Sequence, residues 1–229
     1  MRRPILKRIL NHWYDLNLII AIILIILIVI QQVNSTFQQR LLLFEFAFIN
    51  LHVWEEYAHP GDMPGTLNVA VHHNQKSPTR YPFNQFSAFI CNDLFMIIIW
   101  GVPILAPQWT GLTLSAILWG IIEFFLHLIY YPHQTHSTLS GGIVTALLGF
   151  LPCGVIYLAF ASTKGYLTVP NLTIGILYPI MGYLIIFRWL GARIMANKRS
   201  RFPFTAQQIA KYLKTIKSHP IHHHKPGTL

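Results

Sequence analysis

The apolar residues of this chain fall into several runs of about 20, the length a helix needs to cross the hydrocarbon core of a bilayer. Only 10% of residues are charged, against about a quarter in soluble domains. Such a chain cannot clothe its surface in polar groups. The fold class expected is therefore all-α, a polytopic transmembrane helix bundle of about six spans. These are placed at about 16–33, 41–58, 89–106, 111–130, 142–163 and 171–192. One membrane domain takes residues 1–202. A basic cytoplasmic tail, 203–229, follows, in which Ile209, Tyr212, Leu213 and Ile216 against Lys211 and Lys214 describe a short amphipathic helix on the inner leaflet.

The second span is interrupted by Glu45, Asn50, His52, Glu55 and Glu56, and charge placement decides whether to keep it. With six spans, Arg2, Arg3, Lys7, Arg8, Lys76, Arg80 and the basic tail all lie inside, leaving Arg40 and Lys164 outside. Dropping that span would send the basic tail to the opposite side from the basic N-terminus. Six spans with both termini cytoplasmic is the better arrangement. The same placement explains the net charge of +10 as orientation signals with some attraction to anionic lipid, not a polyanion-binding face. Membrane lipids and a small or lipid-like substrate are the expected partners, and no nucleic acid.

The basic start and the apolar run 18–30 imitate a signal peptide, but 31–40 offers no small-x-small cleavage site, so the run reads as a first anchor. Cys91 and Cys153 lie in apolar segments without metal-type spacing and imply no disulfide framework. The inner loop 59–88 contains Pro60, Gly61, Pro64, Gly65, Pro78 and Pro82, which favour a structured or partly re-entrant element. Because Pro60-Gly61 ends the second helix, residues 61–80 are expected to fold back and bring His72 or His73 near its end. The terminal His222, His223 and His224 fit a natural His-rich tail or a tag remnant.

Seven residues are acidic, and five of them, Glu45, Glu55, Glu56, Asp93 and Glu123, fall within or at the edge of spans. A carboxylate facing lipid costs a few kcal/mol, so it normally faces a cavity, a partner or a metal. On the second span His52, Glu55, Glu56 and His59 share one helix face; on the fourth, Glu123 and His127 do the same, with His133 and His136 just beyond. Both spans run outside to inside, which places these groups at one depth near the cytoplasmic end, with Asn92 and Asp93 opening the third span beside them. Imidazole nitrogen with carboxylate oxygen is a ligand set for a divalent metal, zinc or iron. His52, Glu56, Glu123 and His127 are the expected metal ligands, His72, His133 and His136 the completing ligands, and Glu55 the catalytic base or a further ligand.

The run His52-Val53-Trp54-Glu55-Glu56, followed by Tyr57 and Pro60-Gly61, resembles the HXXEE family of small bacterial polytopic membrane proteins. The resemblance continues through Tyr81-Pro82-Phe83-Asn84 to Asn92, then Glu123 with His127 and the run at 142–147. Relatives tend to read Asn-Pro-Gly before that last run, where this chain has Ser140-Gly141-Gly142. The resemblance implies a bacterial plasma-membrane location and supports the choice of residues, while the family carries no assigned reaction. Three functions fit: a metal-dependent intramembrane hydrolase or di-iron oxygenase acting on a lipid-like substrate, a proton- or ion-coupled transporter or channel, and an accessory or immunity protein.

Overall fold

The computed structural model describes residues 8–30, 35–210 and 212. It is 75% helix, with no strand among the described residues. The helices are α1 (Trp13–Val29), α2 (Phe37–Tyr57), α3 (63–71), α4 (Gln85–Leu105), α5 (Thr110–Thr135), α6 (Ile143–Thr163) and α7 (Val169–Ile194). The last four are long and apolar enough to cross a membrane, rather than the six helices expected. α1 is an apolar helix of 17 residues, and the expected span's end at 31–33 lies outside the described residues. α2 is 21 residues long, but Glu45, Asn50, His52, Glu55 and Glu56 depress its hydropathy.

The polarity of α2 follows from its position. It packs against α1, α4, α5 and α6, and all five of those polar residues are buried. The peripheral helices invert this pattern: Ile19, Ile22 and Ile26 on α1 and Ile176, Leu177, Met181 and Ile185 on α7 face outward. An apolar outside around a polar central helix is what a bilayer solvent requires. α5 and α7 run parallel, with Gly111 against Ile174, Gly175 against Leu114 and Trp119 beside Tyr183.

Three of the long helices widen locally into a π-type turn, at 97–101, 126–130 and 146–150, and each widening has a proline two residues after it: Pro103, Pro132 and Pro152. Proline lacks an N–H and its ring collides with the carbonyl four residues earlier. Those carbonyls belong to Ile99, Leu128 and Leu148, the middle residue of each wide turn. Opening the turn relieves the collision. The wide segment Leu184–Ile194 of α7 has no such proline.

The loop 59–88 folds back onto the bundle. α3 packs beside the C-terminal end of α5, and Asn68 ties it down by donating to the carbonyls of Pro78 (2.8 Å) and Phe83 (2.9 Å) and accepting from Phe83 N (3.0 Å). The start of the tail docks on the protein rather than lying free on the leaflet. Tyr212 is buried on Gly65 and meets Thr66 Oγ1 at 2.6 Å, and Gln208 donates to the Tyr57 carbonyl at 3.0 Å. The rest of the expected amphipathic helix, 213–216 with Lys211, lies outside the described residues.

Asn68→Ala strands three buried backbone groups, at a cost on the order of 2–4 kcal/mol. The variant should show a lower thermal midpoint in detergent and faster limited proteolysis within 72–82. An unchanged midpoint and cleavage rate would mean that the loop is held elsewhere.

Candidate metal centre

α2 and α5 each bring one histidine and one glutamate, four residues apart, to a common point. His127 Nε2 lies 3.2 Å from Glu56 Oε1 and 3.6 Å from Glu123 Oε2, and His52 Nε2 lies 3.5 Å from Glu56 Oε1. The two imidazoles meet edge to face, their centroids 4.6 Å apart. His52, Glu123 and His127 each offer one atom, all within 4.8 Å of one another, and this group could hold a metal ion. Ligands on a tetrahedral ion with bonds of 2.0–2.1 Å stand about 3.3 Å apart. The spacing fits a single ion.

Hydrogen bonding fixes which imidazole nitrogen is free. His52 Nδ1 lies 2.8 Å from Thr145 Oγ1, whose one proton goes to Glu55 Oε2 (2.7 Å) or the Gly142 carbonyl (3.1 Å). The hydroxyl oxygen therefore accepts from His52 Nδ1–H. His127 Nδ1 lies 3.0 Å from Ser140 Oγ, which itself donates to the His127 carbonyl at 2.9 Å, so the same reasoning makes Nδ1 the donor. Both Nε2 atoms are then lone pairs. They are fully buried and have no hydrogen-bond partner. Two lone pairs facing two carboxylates at these distances call for a cation between them.

The turn entering α6 completes the centre. Gly142 has φ +99°, and a Cβ there would stand 2.5 Å from His127 Cε1 and 2.6 Å from His52 Cε1. Only glycine meets both demands. Glu55 faces away from the lone pairs and caps α6, accepting from Val144 N (3.1 Å), Thr145 N (3.0 Å) and Thr145 Oγ1. Glu55, expected as base or further ligand, is engaged by these three groups and is linked through Thr145 to His52. Trp119 Nε1 holds Glu123 Oε1 at 2.7 Å, leaving Oε2 for the centre.

The centre forms one wall of a cavity of about 310 Å³, lined by His52, Glu56 and Glu123 and otherwise mostly by apolar side chains of α2, α3, α4, α5 and α7. His72 lines the same cavity and packs on Phe83, so the folded-back loop does reach it. Burial, then the nearby Arg188 and His73, hold the His72 imidazole below its ordinary range. His73, His133 and His136 are exposed and outside the cavity lining, as is His59. α5 continues to Thr135, so His133, six residues past His127, falls off the face that His127 occupies, and His136 follows in a left-handed turn, φ 50°. They are removed as completing ligands. Asn92 lines the cavity and donates to Tyr57 OH at 3.2 Å, whereas Asp93 pairs with Asn17 at 3.4 Å, apart from the centre. Ser140, Gly142 and Thr145 are not among the expected site residues; their signal in the sequence is the run at 142–147 and the Ser140-Gly141-Gly142 before it.

The chain finds no match among curated proteins or among solved structures. A family described as a protein of unknown function with HXXEE motif matches residues 42–157, just over half the chain. That stretch contains the motif itself and every residue that builds the centre, and the chain belongs to the HXXEE family.

Proposed function

We propose that this protein is a membrane-embedded metallohydrolase with one divalent ion, zinc by its ligand set, held by His52, His127 and Glu123, and with Glu56 as general base. The observation that carries the reading is the pair of buried, unpartnered Nε2 lone pairs aimed at two carboxylates. Two imidazoles and one carboxylate, with a position left for water, is a ligand set of catalytic zinc. A di-iron centre would call for more carboxylates than the two that converge among the described residues. An ion held by His52, His127 and Glu123 would polarise a carbonyl and lower the pKa of a bound water. Glu56, close to both imidazoles, takes the proton of the attacking water as its oxygen bonds to an acyl carbon. It then returns the proton to the leaving oxygen or nitrogen as that bond breaks.

The same reading places the chain in the plasma membrane with six crossings, α1 and α2 included, and with both termini and the metal centre on the cytoplasmic side. The buried polarity of α2 and the distribution of Arg and Lys support it. Reporter fusions after residues 38 and 70 should report opposite sides of the membrane. The same side for both would refute the crossing by α2.

Metal content should be measured on the full chain carrying His222→Ala, His223→Ala and His224→Ala, so that the tail adds no ligands. About one zinc per chain is expected. His127→Ala and Glu123→Gln should each lose it, since an incomplete shell binds far more weakly. Glu56→Gln should keep the metal and lose hydrolysis of membrane lipid, followed as products heavier by one water in total. Unchanged metal in His127→Ala would end the proposal.

Gly142→Ala should weaken zinc binding tenfold or more by displacing both imidazoles. Gly165→Ala is the control, because Gly165 also has positive φ (+67°) but its Cβ would meet nothing within 4 Å. Equal loss in both variants would trace the effect to backbone strain rather than to contact with the histidines.

A further inference from the structure

α5 and α7 pack along Thr110–Phe125 and Val169–Tyr183, and beyond these segments they part. The cavity reaches the surface in that gap. Ile122 and Tyr130 of α5 and Arg188 of α7 both line it and are exposed, so they form its lip, while His52 and Glu123 stand at its back. The outward faces beside the gap are apolar, with Phe125, Ile129, Leu184 and Ile185 exposed. This opening faces the lipid side of the bundle.

Arg188 is the cation in the cavity lining, and among the described residues it forms no ion pair. The parallel register of α5 and α7 sets it level with about 124–126, hence at the depth of Glu123 and His127. Its guanidinium is near His72, whose imidazole burial, and then that charge, hold below its ordinary range. A guanidinium at the mouth of a mostly apolar cavity, with Glu56 and Glu123 at its back rather than at the lip, suits a planar or tetrahedral oxyanion, which it can engage through two N–H groups. At about 310 Å³ the cavity lies at the low end of the roughly 300–1,000 Å³ of small-molecule sites. It has room for the polar end of an amphiphile but not for its chain. Through a lateral opening the chain need not enter.

Resting on the metallohydrolase reading, we propose that the gap between α5 and α7 is a lateral portal for an anionic single-chain amphiphile. Its phosphate or carboxylate docks on Arg188, its chain stays in the bilayer, and the bond acted on lies between the two, against Glu123 and His52. The anion is held at the lip by Arg188 and is not itself the group hydrolysed.

Binding tests this without needing turnover. The probe is dodecyl phosphate, added to the full-length protein, stripped of metal, in dodecyl maltoside, with stoichiometry read by native mass spectrometry. One dodecyl phosphate per chain is expected. Arg188→Gln should weaken it at least tenfold. Arg193→Gln, one turn further along α7 and outside the cavity lining, should leave it unchanged. Ile122→Trp, which narrows the lip, should also weaken binding. Equal loss in Arg188→Gln and Arg193→Gln would reduce the effect to a basic surface, and retention in Arg188→Gln would overturn the docking role. Full competition by inorganic phosphate at the same concentration would show a free-ion site and overturn the amphiphile. His127→Ala should bind the probe normally while losing zinc, so failure of the portal and failure of the metal centre are read separately.

Discussion

A carboxylate and an imidazole lone pair repel when both are taken out of water, and this fold buries two of each at one point. The cost of such burial is several kcal/mol per ion unless an opposite charge is supplied. The bundle accepts that cost on α2 and α5, the helices whose apolar neighbours leave no water to soften it. A single divalent cation would offset the set, because His52, His127 and Glu123 offer acceptor atoms within 4.8 Å of one another and Glu56 stands beside both imidazoles. Where the charge balance lies therefore decides where α2 sits. The least apolar long helix occupies the middle.

The groups behind the centre make the arrangement rigid. Glu55 is anchored by the N-terminus of α6, where two free N–H groups and the helix dipole favour a negative charge. It fixes Thr145, Thr145 fixes His52, and Ser140 does the same for His127. All of these partners come from one turn, 140–145. Pro132 and Pro152 bracket it in sequence and widen the helices on either side. The wide turn at 126–130 contains His127 itself. Rotation of a side chain by a π-type turn is a common device at functional sites.

The half-sites could be read from the chain because four-residue spacing puts His52 with Glu56 and Glu123 with His127 on common faces. Their meeting could be read because two helices of the same direction share a depth. Spacing fails for Glu55: three residues from His52, it lies on an adjacent part of the face, and what it meets depends on α6, which no local pattern names. His133 and His136 are placed elsewhere because α5 runs on past residue 130 to Thr135, which turns His133 off the face of His127, and the left-handed residue that then ends it, His136, is a non-glycine with no strong sequence mark. The span count differed for a related reason. Hydropathy averages over a window and so penalises α2 for the polarity that its neighbours bury.

One buried carboxylate stays outside this scheme and bears on transport. Glu45 lies two turns from His52 along α2, with Oε2 accepting from Trp100 Nε1 at 3.2 Å and Oε1 unpartnered. A relay across the membrane would have to join it to the metal centre. Between them stands Phe150, fully buried, with its ring 5.1 Å from that of His52 and 6.4 Å from that of Trp100. The same ring borders Gly120, where a Cβ would meet both Phe150 and Glu45 Oε1. An apolar ring packed against glycine offers a proton or ion no polar partner in passing. The centre thus borders the cavity on its own side, and Phe150 separates it from Glu45.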